Sequence, residues 1–151
     1  MLESVDVGYN IIAIAGSAGS IASLMQLVQG FPPDLPAAVF VVVHSSPHFP
    51  CLLPEILQSC GSLPSVHPED GAPIEPGRIY VAPPDRHLLV KPEYIRVVFG
   101  PKENRFRPAI DPLFRTAAQA YGKRVIGIVL SGLLYDGTGG LIEIKKRGGL
   151  A

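Results

Sequence analysis

Neither sign of charge is in excess in this sequence, cysteine is scarce, and long apolar runs are missing. Lys plus Arg and Asp plus Glu each number 13, so the formal net charge is zero. That balance leaves no basic footprint for nucleic acid or an anionic membrane surface. The longest unbroken apolar run, AAVFVVV at 37–43, is far short of the roughly 20 residues that cross a bilayer. The first ten residues, MLESVDVGYN, hold two acids and no Lys or Arg, which argues against a secretory leader. A soluble chain in the cytoplasm, without a nucleic-acid partner or membrane insertion, is therefore expected. Cys51 and Cys60 are the only cysteines. They form no CxxC and have no His at zinc spacing, so small buried residues are expected and no metal site.

What is present is abundant apolar sequence cut by frequent turns. The 151 residues are 47% hydrophobic, enough for one core and one domain. Gly and Pro, 16 each, are spread between periodic segments and mark turns rather than disorder. YNIIAIAG (9–16) reads as a strand covered on both faces, and the spacing of Ile21, Leu24, Met25, Leu27 and Val28 predicts a helix after it, with Ser20 as its cap. PAAVFVVVHSS (36–46) repeats the pattern, with a helix around Pro54 following. DPLFRTAAQAYG predicts a helix capped by Asp111 with Pro112 at its first position, KRVIGIVLSG (123–132) a third buried strand, and GTGGLIEIKKRGG a last helix ending in basic residues. Between 62 and 100, short strand-like runs separated by Pro, Asp and Glu turns read as a small antiparallel hairpin region. The alternation implies an α/β fold: a mainly parallel, doubly wound, Rossmann-like sheet with helices on both faces.

Ligands of such sheets gather at the carboxyl ends of the strands. Three such ends carry polar groups: Ser17 after the first strand, His44 closing the second, and Asp136 after the third. A serine hydroxyl needs an imidazole to take its proton, and the imidazole needs a carboxylate to hold its tautomer. Taken alone, Ser17 reads as turn chemistry, His44 as a satisfied strand-end histidine, and Asp136 as the cap of the helix beginning near Gly137. His48, His67 and His87 have weaker claims. GSAGS lacks the patterns of the dinucleotide and P-loop cradles, leaving only the generic helix N-terminus for a phosphate. The chain order Ser, His, Asp and the absence of G-x-S-x-G also separate it from the α/β-hydrolases.

Blocks spread over nearly the whole chain carry a further signal. They are AIAGSAGS around Ser17, VVVHSSPHF around His44, DGAPIEPGRIYVAPPDRHLLV (70–90), NRFRPAIDPLF (104–114) and SGLLYDGTGG (131–140). In this order they resemble the catalytic domain of the CheB-type chemotaxis methylesterases, which remove methyl groups from receptor glutamate esters. The resemblance implies Ser17 as nucleophile, His44 as base and Asp136 as its orienting carboxylate, no cofactor, and glutaminyl deamidation as a side activity. It also implies backbone oxyanion donors near Ala18 and around Leu133, Leu134 and Tyr135. The implied partner is the cytoplasmic domain of a methylated chemoreceptor, with a receptor methyltransferase or a separate receiver domain as further partners. Arg105 and Arg107 are candidates for contact with an acidic or carbonyl-bearing substrate.

Departures from the family pattern fall in the two loops beside the expected oxyanion site. Ala18 and Ser20 stand where Thr and Gly are usual, and Leu133 to Tyr135 replace Met, Gly and a small polar residue. They motivate an alternative, a CheB-like module that binds a receptor or methyltransferase without hydrolysis. Residues 1–151 are expected to form one catalytic domain without the family's receiver domain and cut short at its C-terminal end.

Overall fold

The computed structural model describes residues 8–44, 52–130 and 136–151. The first apolar run forms β1 (Asn10–Ser17), and after a 3₁₀ turn (Ala18–Ser20) the periodic segment forms α1 (Ile21–Gln29). β2 (Ala37–His44) and α2 (Leu53–Cys60) repeat the unit, with Pro54 in the first turn of α2, where a missing N–H costs nothing. Two short strands follow, β3 (Ser65–Val66) and β4 (Ile79–Val81), then β5 (His87–Lys91) and β6 (Tyr94–Val98). The chain continues through α3 (Ile110–Tyr121), β7 (Val125–Val129) and α4 (Thr138–Lys146). Lys145 and Lys146 lie in the last turn of α4, where the helix dipole favours cations.

The main sheet has the order β3-β4-β2-β1-β7, and all of its pairings are parallel. Among the described strands, β5 and β6 pair antiparallel as a separate hairpin. The antiparallel reading of 62–100 therefore holds for β5, β6 and the segment at Pro73 that bridges antiparallel to Tyr94, but not for β3 and β4. The short runs at 65–66 and 79–81 extend the parallel sheet, because β4 finds its partner in β2, far away in sequence. Turn signals along the chain carry no information about such a pairing.

Both faces of the sheet are covered, and strict alternation sorts the side chains between them. Ile11, Ala13, Ala15, Ala38, Phe40 and Val42 pack with Leu113, Phe114, Ala117 and Tyr121 of α3 and Ile144 of α4. Ile12, Ile14, Val39 and Val41 pack on the other face with Leu24 and Val28 of α1 and Leu53 and Leu57 of α2. Each fully buried Leu, Ile or Phe contributes about 1.5–3 kcal/mol relative to its exposed state.

α3 and α4 approach so closely that glycine is required between them. A Cβ on Gly140 would lie 2.5 Å from Phe114 Cβ and 3.1 Å from Asp111 Oδ1. Gly140→Ala is expected to cost about 1–3 kcal/mol by overpacking. Urea unfolding checks this, and an unchanged midpoint would contradict the close approach.

Candidate active site

β1 and β2 pair over their full eight-residue lengths, so Ser17 and His44 are register partners at the same carboxyl edge. β7 lies on the opposite side of β1 from β2, which makes β1 the point where the winding of the sheet reverses. Crevices at such points are where doubly wound sheets bind ligands. Asp136 follows β7 at this edge, and its carboxylate reaches back to the histidine. His44 Nε2 lies 2.7 Å from Asp136 Oδ2, with the two side chains 8% and 1% exposed.

An ionised carboxylate only accepts hydrogen bonds. Nε2 of His44 therefore carries the proton it donates to Asp136, and Nδ1 of the neutral ring is left as the basic nitrogen. Asp136 is expected to be ionised. Burial alone would push its carboxyl up, but the hydrogen bonds from His44, the Ile110 N–H, Asn104 and the Asp111 N–H outweigh burial and hold it below its ordinary value of 3.8. Because the folded-state value is the lower one, the stabilisation from this carboxylate is complete above the ordinary range and lost as pH falls through the folded-state value. The stability advantage of the wild type over Asp136→Asn is thus expected to shrink as pH falls below the ordinary carboxyl value of 3.8. Urea unfolding across that series checks it, and a constant difference would contradict it.

The two carboxylates at this edge exchange the roles that local sequence suggests. Asp111 is not the cap of its own helix: α3 begins at Ile110 behind Ala109, so Asp111 and Pro112 occupy its first turn. Asp111 Oδ1 instead accepts the N–H groups of Gly137 (3.0 Å) and Gly140 (2.8 Å) at the start of α4. Asp136, read as a cap for α4, accepts the N–H of Ile110 (2.8 Å) and of Asp111 (3.2 Å) at the start of α3. Each helix N-terminus is thus neutralised by a carboxylate from the other, a favourable arrangement for the orphan amides and dipoles of both. Gly137 sits at φ 106, a left-handed conformation suited to glycine, with Ile110 Cγ2 only 3.2 Å from where a Cβ would be.

Asn104 joins the pair. Its Nδ2 donates to Asp111 Oδ2 at 2.7 Å and to Asp136 Oδ1 at 2.9 Å. Phe106, two residues on, lies flat on the His44 ring, with centroids 3.6 Å apart and planes 3° from parallel. No role for these two residues was read from the sequence. The block NRFRPAIDPLF was visible, but nothing in it locates His44 or Asp136.

Beside Ser17, Ser20 accepts the Ser17 N–H at 2.9 Å and donates to the Ser17 carbonyl at 2.7 Å. Its hydroxyl thus ties the turn at Ser17 together rather than capping α1 with its side chain. It fits because residue 16 is glycine, where a Cβ would collide with Ser20 Oγ. Ala18 is exposed at the start of the 3₁₀ turn. Leu133, Leu134 and Tyr135 lie outside the described residues, as do His48 and Cys51.

The two arginines part company. Arg107 is bound within the protein: Nε and Nη2 each lie 2.8 Å from Asp85 Oδ1, Nη1 donates to the Gly100 carbonyl at 3.1 Å, and the guanidinium covers the Phe99 ring at 3.7 Å. Its donors thus anchor the loop that carries it to Asp85 and Gly100. Arg105 is exposed. His87 is buried, 2.7 Å from the Pro101 carbonyl through Nε2 and accepting the Ala109 N–H at 3.3 Å through Nδ1. His67 bonds the Val81 carbonyl through Nδ1 at 3.0 Å.

The family model for CheB methylesterase matches residues 12–151. The chain belongs to the CheB methylesterase family. A protein-glutamate methylesterase/protein-glutamine glutaminase of Pyrococcus horikoshii is 40% identical over 144 residues, covering 92% of this chain and 39% of the relative. A second enzyme of that name, from Methanosarcina acetivorans, is 39% identical over 148 residues, covering 93% of this chain and 42% of the relative. The chain thus spans about two fifths of the length of the curated relatives it matches. The crystal structure of the Thermotoga maritima CheB methylesterase catalytic domain superposes with a TM-score of 0.89 at 34% identity, over 95% of this chain and 78% of that one. The mainly parallel Rossmann-like sheet is thus the fold of the CheB catalytic domain. Among the described residues, no helix is long and apolar enough to cross a membrane.

Proposed function

We propose that this chain is a CheB-type catalytic domain that hydrolyses glutamate methyl esters on the cytoplasmic domain of a chemoreceptor, with glutaminyl deamidation as a second outcome of the same chemistry. The observation that carries the reading is the short His44–Asp136 hydrogen bond placed beside Ser17, the register partner of His44. Ser17 Oγ attacks the ester carbonyl while Nδ1 of His44 takes its proton. The tetrahedral intermediate collapses, the C–O bond to the methoxy group breaks, and His44 returns the proton to the departing methanol. Water then adds to the acyl-enzyme by the same route, releasing the glutamate carboxylate and restoring Ser17. With a glutamine side chain the leaving group is ammonia.

Asp136 orients the imidazole and stabilises its charge when Nδ1 is protonated. The developing oxyanion meets backbone N–H groups near Ala18, where the first amides of a helical turn have no partner within the helix. Arg105, exposed in the turn between Asn104 and Phe106, meets substrate carboxylates or carbonyls in this reading. No metal or organic cofactor enters this chemistry. A cytoplasmic location follows from a receptor's cytoplasmic domain as substrate, and a separate receiver domain or a receptor methyltransferase is a partner to test. One domain over 1–151 accounts for both core faces meeting on a single main sheet.

The test is release of methanol from a methyl-esterified receptor cytoplasmic domain. The reading expects release that depends on Ser17. Binding of the receptor without any methanol would favour the non-catalytic module instead.

A further inference from the structure

The segment between β6 and α3 has a defined shape of its own, beyond the substrate contact proposed for Arg105. Glu103 and Phe106 exchange backbone hydrogen bonds of 3.1 and 2.9 Å, closing a two-residue turn over Asn104 and Arg105. Both central residues have positive φ, 52° and 72°, as hairpin turns of the I′ kind require. The turn is held from outside by bonds already on both its flanks. Arg107 binds Asp85, Arg115 of α3 binds Glu103 at 3.2 Å, and His87 spans the base by contacting the Pro101 carbonyl and the Ala109 N–H.

A histidine ring has a broad torsional well about its Cβ–Cγ bond. A hydrogen bond at one ring nitrogen resists a half-turn flip but leaves the ring free to rock about that bond. The Phe106 face, parallel to the imidazole at 3.6 Å, removes that freedom, since a tilted ring would run into it. Asn104, from the same turn, fixes the other partner by donating to Asp136 Oδ1 while the His44 bond uses Oδ2.

We propose that the 103–106 turn is a positioning clamp for the base: Phe106 sets the plane of the His44 ring and Asn104 the orientation of the Asp136 carboxylate, aligning Nδ1 with Ser17 before substrate arrives. The proposal rests on the hydrolase reading. Neither residue touches the reacting atoms, so both act through His44 and Asp136.

The experiment uses the full chain with ¹⁵N-labelled imidazoles and the methanol-release assay together. In the wild type, His44 gives a single neutral tautomer protonated at Nε2, with ring protons displaced by the Phe106 ring current. Phe106→Leu is expected to remove that displacement, broaden or mix the tautomer signals, and lower kcat at least about tenfold with KM within about twofold. Phe106→Tyr, which keeps the stacked face, is expected to recover the imidazole signals and most of kcat. Asn104→Ala is expected to lower kcat by a similar factor. Phe106→Leu that leaves the His44 signals and kcat per folded molecule in place, and changes only the thermal midpoint, overturns the clamp. Failure of the underlying reading looks different: Ser17→Ala then retains turnover, and the proposal falls with it.

Discussion

Ser17→Ala is expected to lower kcat for methanol release by about 10⁴-fold or more while leaving receptor binding and the fold intact. The size follows from the division of labour. Without the hydroxyl, His44 and Asp136 have nothing to activate, and only substrate positioning and the oxyanion donors still accelerate attack by water. The fold is kept because the N–H and carbonyl of residue 17 both bond Ser20 Oγ without the Ser17 side chain, so that the turn loses only the side chain's half of its capping box. Methanol release and far-UV circular dichroism on the same preparation check both halves. Turnover surviving at wild-type level would remove Ser17 from the chemistry and leave the interaction-module reading standing.

Asp136→Ala is expected to damage both activity and stability. The Asp136 carboxylate accepts from His44, Asn104 and two backbone N–H groups of α3 in a site 1% exposed. Truncation leaves those donors facing a cavity without an acceptor. A loss of about 3 kcal/mol is expected, the scale for removing the charged member of a buried hydrogen-bonded set. Activity is expected to fall about 10⁴-fold, because His44 loses the partner that holds its proton on Nε2. Asp136→Asn separates the two effects. It keeps the volume and one acceptor oxygen, so its stability loss is expected to be smaller, while its amide can stabilise the wrong tautomer and kcat falls about as far. Unfolding by urea and turnover at matched folded fraction distinguish these outcomes. Equal losses of stability for Ala and Asn would mean that the α3 amides do not depend on the carboxylate.

The parts of the fold legible in the sequence are those with strong short-range signals. Ile11 to Ala15 and Ala37 to Val42 are apolar at every position because both faces of their strands are covered, and α1 and α3 announce themselves by spacing. β3 and β4 read in the sequence as part of an antiparallel region, because two- and three-residue strands have no periodicity of their own. At the site, Ser17, His44 and Asp136 stood out as polar groups at strand ends. Asn104 and Phe106 did not, since an Asn and a Phe in a Pro-containing loop carry no local mark of what they touch.

The sequence by itself determined the strands and helices with clear periodicity, the family, and three polar residues at one edge of the sheet, of which His44 and Asp136 bond to each other. Each follows from patterns within a few residues, or from blocks in a recognisable order. Only the tertiary structure decided the partners of the carboxylates. Asp111 and Asp136 each looked like the cap of the nearest helix, and each caps the other's, because an N-terminus with orphan amides attracts whichever carboxylate the packing brings closest. The same packing brought Asn104 between them and laid Phe106 on His44, contacts spanning 32 and 62 residues of chain that no local rule connects.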